Sequence, residues 1–224
     1  MRFAREGHPF MLVAALAAGA TVAMAARNAA VVWAAVPMTG LAFLVFYFFR
    51  DPERQIPEGP GLVLAPGDGK VIEISEVEEP GFFEGPCRRI SIFLSIFNVH
   101  VQRAPASGAV SHRAYKPGGF AVAWHPKASD ENEQSSVGVV TDSGRLMVRQ
   151  IAGLIARRIV TYPKEGQALE RGERIGLIRF GSRVDLFIPL EWPVACQVGD
   201  RAVGGSTVMA RQSGSSTPAD EGGS

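Results

Sequence analysis

Residues 175–190 read IGLIRFGSRVDLFIPL, two short runs of apolar and β-branched residues on either side of a Gly-Ser step. Runs of this kind are typical of strands, and the Gly-Ser step is typical of a turn. The pattern recurs from Leu62 onward, in VIEIS, ISIFLSI, GVVTD, RLMVRQI and RRIVTY, with turn signals such as APGDGK, KPGG and DSG between them. No long stretch after Arg50 has the periodicity of an amphipathic helix. The sequence therefore predicts a mainly β protein, with a compact antiparallel sandwich or barrel-like domain over residues 55–211.

The N-terminal part of the chain has a different composition. Residues 9–26 carry no charge, and after Arg27 and Asn28 residues 29–49 are again uncharged. A helix needs about 20 apolar residues to cross the hydrocarbon core of a bilayer, which the second run meets and the Ala-rich first run approaches. We expect a transmembrane helical hairpin. The alternatives are a single anchor, a cleaved signal peptide over residues 1–26, or a buried helical pair.

The charges around these two runs predict their orientation. Arg2 and Arg5 precede the first run, Arg50 and Arg54 follow the second, and only Arg27 lies between them. The positive-inside rule then places both ends of the hairpin in the cytoplasm, with the β-domain on the cytoplasmic side of the cell membrane.

The expected organisation is therefore a membrane anchor over residues 1–54, the β-rich domain over residues 55–211 and a C-terminal tail. The tail, residues 212–224, reads QSGSSTPADEGGS. Its low complexity predicts disorder.

Composition excludes several classes of function. The 224 residues include 23 Lys+Arg against 22 Asp+Glu, and a net charge of +1 gives no electrostatic reason to expect nucleic acid as a partner. Cys87 and Cys196 are too few for a disulfide-rich scaffold and lack zinc-ligand spacing. The chain has no GxGxxG, Walker or HExxH motif. Nucleotide binding and zinc hydrolysis are therefore not indicated.

Three short segments could carry chemistry. They are APGDGK at residues 65–70, FNVHVQRAP at residues 97–105 and VGGSTV at residues 203–208. Taken singly, each has an ordinary structural interpretation, as an Asp-Gly turn, a structural histidine after an apolar strand, and a tight glycine turn.

Taken together, these segments resemble the phosphatidylserine decarboxylase proenzymes, in their short, membrane-anchored bacterial form. The resemblance extends over most of residues 62–210 and is carried by the order and spacing of the motifs. Besides the three segments, it includes YKPGGF, the pair Asn132-Glu133, and ERGERIGLIRFGSRVDLFIP. The apolar hairpin suits an enzyme whose substrate is a membrane lipid.

The resemblance implies a pyruvoyl enzyme that cuts its own chain between Gly205 and Ser206. Ser206 would become the covalent pyruvoyl cofactor, with no metal and no pyridoxal phosphate. The β-chain, residues 1–205, and the α-chain, residues 206–224, would stay associated, and a homo-oligomer is left open. Phosphatidylserine would form a Schiff base with the ketone, lose CO₂ and leave as phosphatidylethanolamine, a step of phospholipid biosynthesis.

The same resemblance suggests roles for further residues. His100 is the candidate general acid and base, and Asp68 would orient it and stabilise its cationic form. Longer family members carry a second histidine where this sequence has Arg103. Either His100 serves both self-cleavage and decarboxylation, or the way in which the longer enzymes divide these roles between two histidines does not apply to this sequence. Arg103 could bind the substrate carboxylate or phosphate, or be a solvated charge at a strand end.

Two other interpretations remain open. The GERIGLIRFGSRVD stretch is also similar to the turns of lipoyl and biotinyl carrier domains, in which Lys70 would be the nearest modifiable lysine, although its sequence context is wrong. A pyruvoyl decarboxylase for a soluble amino acid is less consistent with two apolar runs. Residues 180–183, FGSR, are either part of the pocket wall or a simple hairpin turn.

Overall fold

The computed structural model describes residues 2–119, 132–153, 158–179 and 182–213. The chain divides into two compact units, Met1–Glu53 and Arg54–Ser224. From residue 214 onward the predicted disordered tail lies outside the described residues, as do Phe180 and Gly181 of the FGSR segment.

The first unit is a hairpin of two apolar helices, α1 (His8–Ala25) and α2 (Val32–Phe48). Single 3₁₀ turns, Arg5–Gly7 and Ala29–Val31, precede them. Together with these turns the helices are 21 and 20 residues long, which is enough to cross a bilayer by length and composition. The predicted helical hairpin is confirmed.

Details at the ends of the hairpin explain where the helices begin and end. Between the helices, the Asn28 side chain accepts a hydrogen bond from Ala30 N–H at 3.1 Å, which caps the second helical segment. Two short strands, β1 (Arg2–Phe3) and β2 (Arg50–Asp51), pair antiparallel across the open end.

Most side chains of both helices are exposed, so a buried helical pair is the wrong interpretation of these runs.

All regular secondary-structure elements described in the second unit are strands, joined by turns and loops. Those of the main sheet are β4 (Gly69–Glu79), β5 (Gly85–Leu94), β7 (Gly108–Lys116), β8 (Gln134–Thr141), β9 (Gly144–Ala152), β11 (Ala168–Leu169), β13 (Ser182–Ile188) and β14 (Arg201–Ala202). The shorter ladders contain β3 (Leu62–Leu64), β6 (Val101–Arg103), β10 (Ile159–Thr161), β12 (Arg174–Ile178) and β15 (Val208–Arg211).

The main sheet is antiparallel throughout and curls into a half-barrel. Its strand order is β11-β7-β8-β9-β13-β5-β4-β14. A three-stranded ladder, β10-β12-β6, and a two-stranded ladder, β15-β3, accompany it. The predicted mainly β, barrel-like class is confirmed. The segments in the opening motif are the strands β12 and β13, which lie in different sheets.

Strand β13 is buried on both faces. Val184, Leu186 and Ile188 alternate into the main hydrophobic core, as the two-residue period of a strand requires. Phe187, on the opposite face, joins a second apolar cluster. Arg183 lies on the same face as Phe187 and is also buried, and an ion pair compensates its charge.

The ion pair joins Arg183 and Asp185, two positions apart on β13 and therefore on the same face. Arg183 Nε and Nη2 donate to the two carboxylate oxygens of Asp185 at 2.6 and 3.0 Å. Arg183 Nη2 also donates to Ser91 Oγ at 2.7 Å on the neighbouring strand β5. Both charged side chains are almost fully buried, so each depends mainly on the other for compensation; the next carboxylate oxygen, Glu73 Oε2, is 4.0 Å from Arg183 Nη2.

We expect Asp185→Ala to destabilise the fold by about 3–5 kcal/mol, because it leaves the Arg183 guanidinium buried without its carboxylate. Asp142→Ala is the control, since Asp142 is an exposed turn residue whose loss should change stability by less than about 0.5 kcal/mol. Thermal unfolding of the full chain in mild detergent measures both. Equal unfolding temperatures for the two variants would contradict this role of the pair.

Candidate active site

The segment expected to be cleaved forms a tight turn between β14 and β15. The N–H groups of Ser206 and Thr207 both donate to Val203 O at 3.0 Å. Val203 N–H in turn donates to Thr207 Oγ1 at 2.9 Å. Gly205 N–H donates to Ala65 O at 2.9 Å, which ties the turn to the segment that follows β3. Hydrogen bonds within the turn, and one to Ala65, therefore fix its conformation.

Two glycines allow the turn to take this shape. Gly205 has φ +75°, a left-handed conformation that L side chains rarely adopt. A Cβ at Gly205 would lie 2.8 Å from Arg103 Cδ, and one at Gly204 would lie 3.0 Å from Gly67 Cα. Both positions therefore need glycine, Gly205 for its backbone angle and both for close packing.

Asp68 holds the turn from the other side. Its Oδ1 accepts a hydrogen bond from Gly204 N–H at 2.8 Å. Arg54 Nη2 lies 2.8 Å from both carboxylate oxygens. Because both side chains are only 13% exposed, this ion pair is better shielded from water than a surface pair. The carboxylate therefore binds the turn while its charge is compensated.

Ser206 projects from this turn toward the first residues of the β-unit. Its Oγ donates to Gln55 O at 3.0 Å, and Ser206 is only partly buried. Arg54 and Ile56, on either side of Gln55, also contact the site, through Asp68 and beside Gly205 respectively. The segment that begins the second unit therefore covers the turn.

His100 is fully buried and held by backbone carbonyl groups. Its Nδ1 lies 3.0 Å from Asn98 O. A carbonyl oxygen only accepts hydrogen bonds, so Nδ1 carries the proton of the neutral ring and Nε2 is the basic atom. The backbone O of His100 accepts from Gln102 Nε2 at 2.8 Å, and Gln102 Oε1 accepts from Gln150 Nε2 at 2.8 Å. This buried amide chain fixes the strand that follows His100.

Arg103 is buried against the turn, so the alternative of a solvated strand-end charge is wrong. Its Nη1 donates to Gly172 O at 3.0 Å, and its side chain packs against Gly205. Its N–H donates to Pro66 O at 2.9 Å, which joins the second and first motif segments. Arg103 lies at the site, while binding of substrate by its guanidinium stays a prediction.

The three sequence segments meet around a cavity of about 680 Å³. Asp68 comes from the first segment, Asn98 from the second and Val203 from the third, and all three line it. The structure thus brings Asp68 to the turn that carries Ser206, and Asn98, two residues before His100 in the sequence, lines the cavity beside it. The expected orientation of His100 by Asp68 stays a prediction, because the Asp68 carboxylate accepts hydrogen bonds from Arg54 and Gly204.

Sequence reasoning missed two contributors, Arg54 and Gln55. Arg54 follows an apolar run, so its charge was interpreted as a membrane-orientation signal. Gln55 acts through its backbone carbonyl, which any residue would supply. No sequence signal points to that contact.

The FGSR segment, His112 and the two cysteines have structural rather than catalytic surroundings. Ser182 and Arg183 of the FGSR segment begin strand β13 and are buried. His112 stacks on a phenylalanine ring. Burial raises the pKa of Cys87 and of Cys196 to about 11, so both thiols stay protonated at neutral pH. Among the described residues, no group of three or more His, Cys, Asp or Glu side chains could hold a metal ion.

Comparison with known proteins agrees with the resemblance seen in the motifs. The sequence model of the phosphatidylserine decarboxylase family matches residues 41–210, a range that includes every site residue described above. The chain is 49% identical to a protein of Symbiobacterium thermophilum, over 93% of this chain and 94% of the relative. It is 47% identical to one of Salinibacter ruber, over 81% and 82%. It is 45% identical to one of Syntrophus aciditrophicus, over 92% and 95%. All three relatives are named phosphatidylserine decarboxylase proenzyme.

We expect Gly205→Ala to destabilise the chain more than Gly166→Ala. The two glycines have similar φ angles, +75° and +82°, but a Cβ at Gly166 meets nothing within 4 Å. Both variants bear the left-handed cost of about 1–2 kcal/mol. Only Gly205→Ala also displaces the buried Arg103 side chain, which should add about 1–3 kcal/mol.

Thermal unfolding measures this difference best in a chain that also carries Ser206→Ala, so that all variants have the same covalent structure. Equal destabilisation by the two alanines would show that the close packing at Gly205 contributes nothing.

Proposed function

The chain belongs to the phosphatidylserine decarboxylase family, and from that premise we propose that it converts phosphatidylserine to phosphatidylethanolamine and CO₂ through a pyruvoyl group made from Ser206. Membership of this family makes the chain a decarboxylase, and the relatives' names describe a proenzyme. The observation that carries the proposal is the turn at Gly204 and Gly205, which Asp68 holds and which presents the hydroxyl group of Ser206.

Self-cleavage begins with the chain's own residues. His100 accepts the hydroxyl proton of Ser206, and Oγ attacks the carbonyl carbon of Gly205. The peptide C–N bond then breaks as the nitrogen of residue 206 takes a proton, which leaves an ester. Support for this step comes from the tautomer that Asn98 O selects, since it leaves the basic atom at His100 Nε2. The absence of side chains at Gly204 and Gly205 leaves that carbonyl accessible.

Two further steps complete the cofactor. Removal of the α-proton of residue 206 expels the Gly205 carboxylate by β-elimination and leaves dehydroalanine. Water then converts this residue to a pyruvoyl group with release of ammonia. The surroundings fit such a group, since Ser206 is partly exposed and its turn borders a cavity. Once formed, the ketone supplies an electron sink for the negative charge left when CO₂ departs.

The strand pairing supports a mature protein of two chains that stay together. The α-chain, residues 206–224, would keep β15, which pairs with β3 of the β-chain. Met209 and Ala210 of β15 are fully buried in the main core. Cleavage therefore severs one peptide bond without removing apolar contacts, so the α-chain should not dissociate.

Asp68 acts mainly as a positioning residue in this proposal. Its hydrogen bond with Gly204 N–H fixes the peptide group between Val203 and Gly204, two peptide groups before the scissile bond, and Arg54 compensates the charge of the carboxylate. We further propose that Arg103, buried beside Gly205, attracts the substrate carboxylate. His100 would also supply the proton that replaces CO₂.

The carrier alternative finds less support. A modifiable lysine of a carrier domain sits at a hairpin tip. Lys70 instead lies within β4, directly opposite Arg201 on one side and Phe93 on the other. The helical hairpin supports a membrane location. The cytoplasmic side for the β-unit rests on the arginines that flank the two apolar runs.

We expect Ser206→Ala to give a single inactive chain with the uncleaved mass of 23.9 kDa, because alanine has no nucleophile. Ser143→Ala, a turn serine elsewhere, should cleave like the wild type. His100→Ala should block or strongly slow cleavage, and Asp68→Asn should slow it less if Asp68 only positions groups. Intact mass and N-terminal sequencing of each protein check these outcomes.

The cofactor has its own readout within this experiment. The mature α-chain should begin at residue 206 with a blocked terminus, and borohydride with phosphatidylserine should inactivate it. Activity should survive chelators and need no pyridoxal phosphate. A wild-type chain that stays whole yet decarboxylates phosphatidylserine would refute the pyruvoyl route.

We expect the full chain to stay with membranes after alkaline carbonate extraction and to be released by nonionic detergent, because its helices expose apolar side chains such as Trp33 and Phe43. A C-terminal tag should be digested by protease in inverted vesicles and protected in right-side-out vesicles. Release by carbonate alone would contradict the membrane anchor, and the opposite protection pattern would contradict the cytoplasmic location.

A further inference from the structure

Two cations face each other on the wall of the 680 Å³ cavity. Lys70 on β4 and Arg201 on β14 are directly opposite in an antiparallel pair, so their side chains lie on the same face of the sheet. Both residues are exposed and both line the cavity. Within the described residues, neither side chain has a carboxylate at ion-pair distance.

Like charges directly opposite each other destabilise a sheet. In the described part of the main sheet no other directly opposite pair has like charges, although Arg103 and Arg174 stand opposite each other in the three-stranded ladder. Glu76 on β4 stands directly opposite Arg88 on β5, and the two form an ion pair at 3.0 Å. At Lys70 and Arg201 the same sheet places two positive charges where it could place one of each sign. An anion bound between them would remove that repulsion.

Asp68, the one carboxylate among the described residues that line the cavity, does not compensate these cations. Asp68 lines the cavity, but Arg54 and Gly204 N–H occupy its oxygens. The local charge next to the turn therefore stays positive, which favours a ligand with a negative group. Such a ligand would meet Lys70 and Arg201 before it reached Ser206.

The cavity lining also contains aromatic rings. Phe93 stands directly opposite Lys70 in the sheet, and Phe97, 61% exposed, lines the cavity together with the polar residues Ser95 and Asn98. A cavity lined by cations and by an exposed aromatic ring suits an amphiphile with an anionic group better than a free inorganic anion. The phosphodiester of a phospholipid, followed by its glycerol and acyl chains, has this chemistry.

The cavity that the two cations line also reaches the reacting turn. Val203 and Asp68 line the same cavity and belong to, or bind, the turn that carries Ser206. In phosphatidylserine, only an ester oxygen and two carbons separate the phosphorus from the amine. A phosphodiester near Lys70 and Arg201 can therefore leave the serine amine pointing to residue 206.

We propose that Lys70 and Arg201 bind the phosphodiester of the lipid substrate and so set the register in which the serine headgroup meets residue 206. The inference rests on the proposed function, and it adds a specificity site that uses neither Arg103 nor the cleavage residues. Lysine and arginine both form charge-assisted hydrogen bonds with phosphate oxygens.

The first test uses a short-chain phosphatidylserine below its micelle concentration, so that attraction to a charged membrane plays no part. Lys70→Gln and Arg201→Gln should each raise KM about ten-fold, and the double variant more, with kcat changed by less than about two-fold. The control is Lys164→Gln with Arg211→Gln, two exposed cations of the same unit, which should leave KM unchanged. An unchanged KM in the double cavity variant would overturn the proposal.

Self-cleavage distinguishes this inference from the function on which it rests. Intact mass should show the same two chains in the cavity variants as in the wild type. If the wild type cleaves but decarboxylates no phosphatidylserine, the proposed function fails. If it is active and the cavity variants match it, only the phosphodiester site fails. Loss of cleavage in the cavity variants would place these cations in the turn's own chemistry and also overturn the site.

The second test measures binding without turnover, by calorimetry on a chain that carries Ser206→Ala. Short-chain phosphatidylserine and phosphatidylcholine share the phosphodiester, so both should bind, and adding Lys70→Gln with Arg201→Gln should weaken both about ten-fold or more. Inorganic phosphate should bind much more weakly because it lacks the apolar part. Equal binding of inorganic phosphate, or binding of either lipid that the two substitutions leave unchanged, would refute a lipid phosphodiester site.

Discussion

The hydrogen bond from Gly204 N–H to Asp68 Oδ1 is the contact on which the arrangement of the site depends. With Arg54 it joins three chain segments, of which the first two are 14 residues apart and the third lies 136 residues after Asp68. A charged acceptor makes such a hydrogen bond stronger than one between neutral groups. Arg54 compensates the carboxylate in this shielded position, since its Nη2 lies 2.8 Å from both oxygens. Without this contact the turn would be positioned only by the hydrogen bond from Gly205 N–H to Ala65 O and by the packing of Arg103 against Gly205.

In the function proposed above, the fold has to be complete before the chain can cut itself. The turn is defined by contacts with Ala65, Asp68 and Arg103, and these residues reach it only after β3, β4 and β6 have paired. Pairing strands that are so distant in sequence costs more loop-closure entropy than forming a local hairpin. These pairs therefore form later than local hairpins. The reactive geometry is therefore available only in the folded protein. The β15–β3 ladder and the buried Met209 then keep the two pieces together.

Sequence reasoning predicted the class of fold and the local features well, and the long-range partners poorly. Periodicity identified the strands, and uncharged length identified the helices, because these patterns repeat within each element. The ion-pair partner of Asp68 was not predictable, because the positive-inside rule explains an arginine after an apolar run equally well. Arg103 was ambiguous for a similar reason: only the tertiary packing against Gly205 decides that this strand-end charge is buried. The pairing and packing of segments that are distant in sequence determine these contacts. Asn98 and Gln55 act through backbone atoms, which every residue type has, so the sequence does not indicate their role.

In the function proposed above, the same turn has to serve two chemistries, and this gives Arg54 a role beyond holding Asp68. During cleavage the site needs a fixed carboxylate beside Gly204. During decarboxylation, in the function proposed above, it has to admit a lipid that carries a phosphate and a carboxylate. An uncompensated charge on Asp68 would repel an anionic group about 4 Å away by about 4 kcal/mol at an effective dielectric constant near 20. Arg54 removes most of that repulsion without removing the hydrogen-bond acceptor. The pair therefore lets one carboxylate organise the backbone while the cavity beside it stays electrostatically open to an anionic lipid.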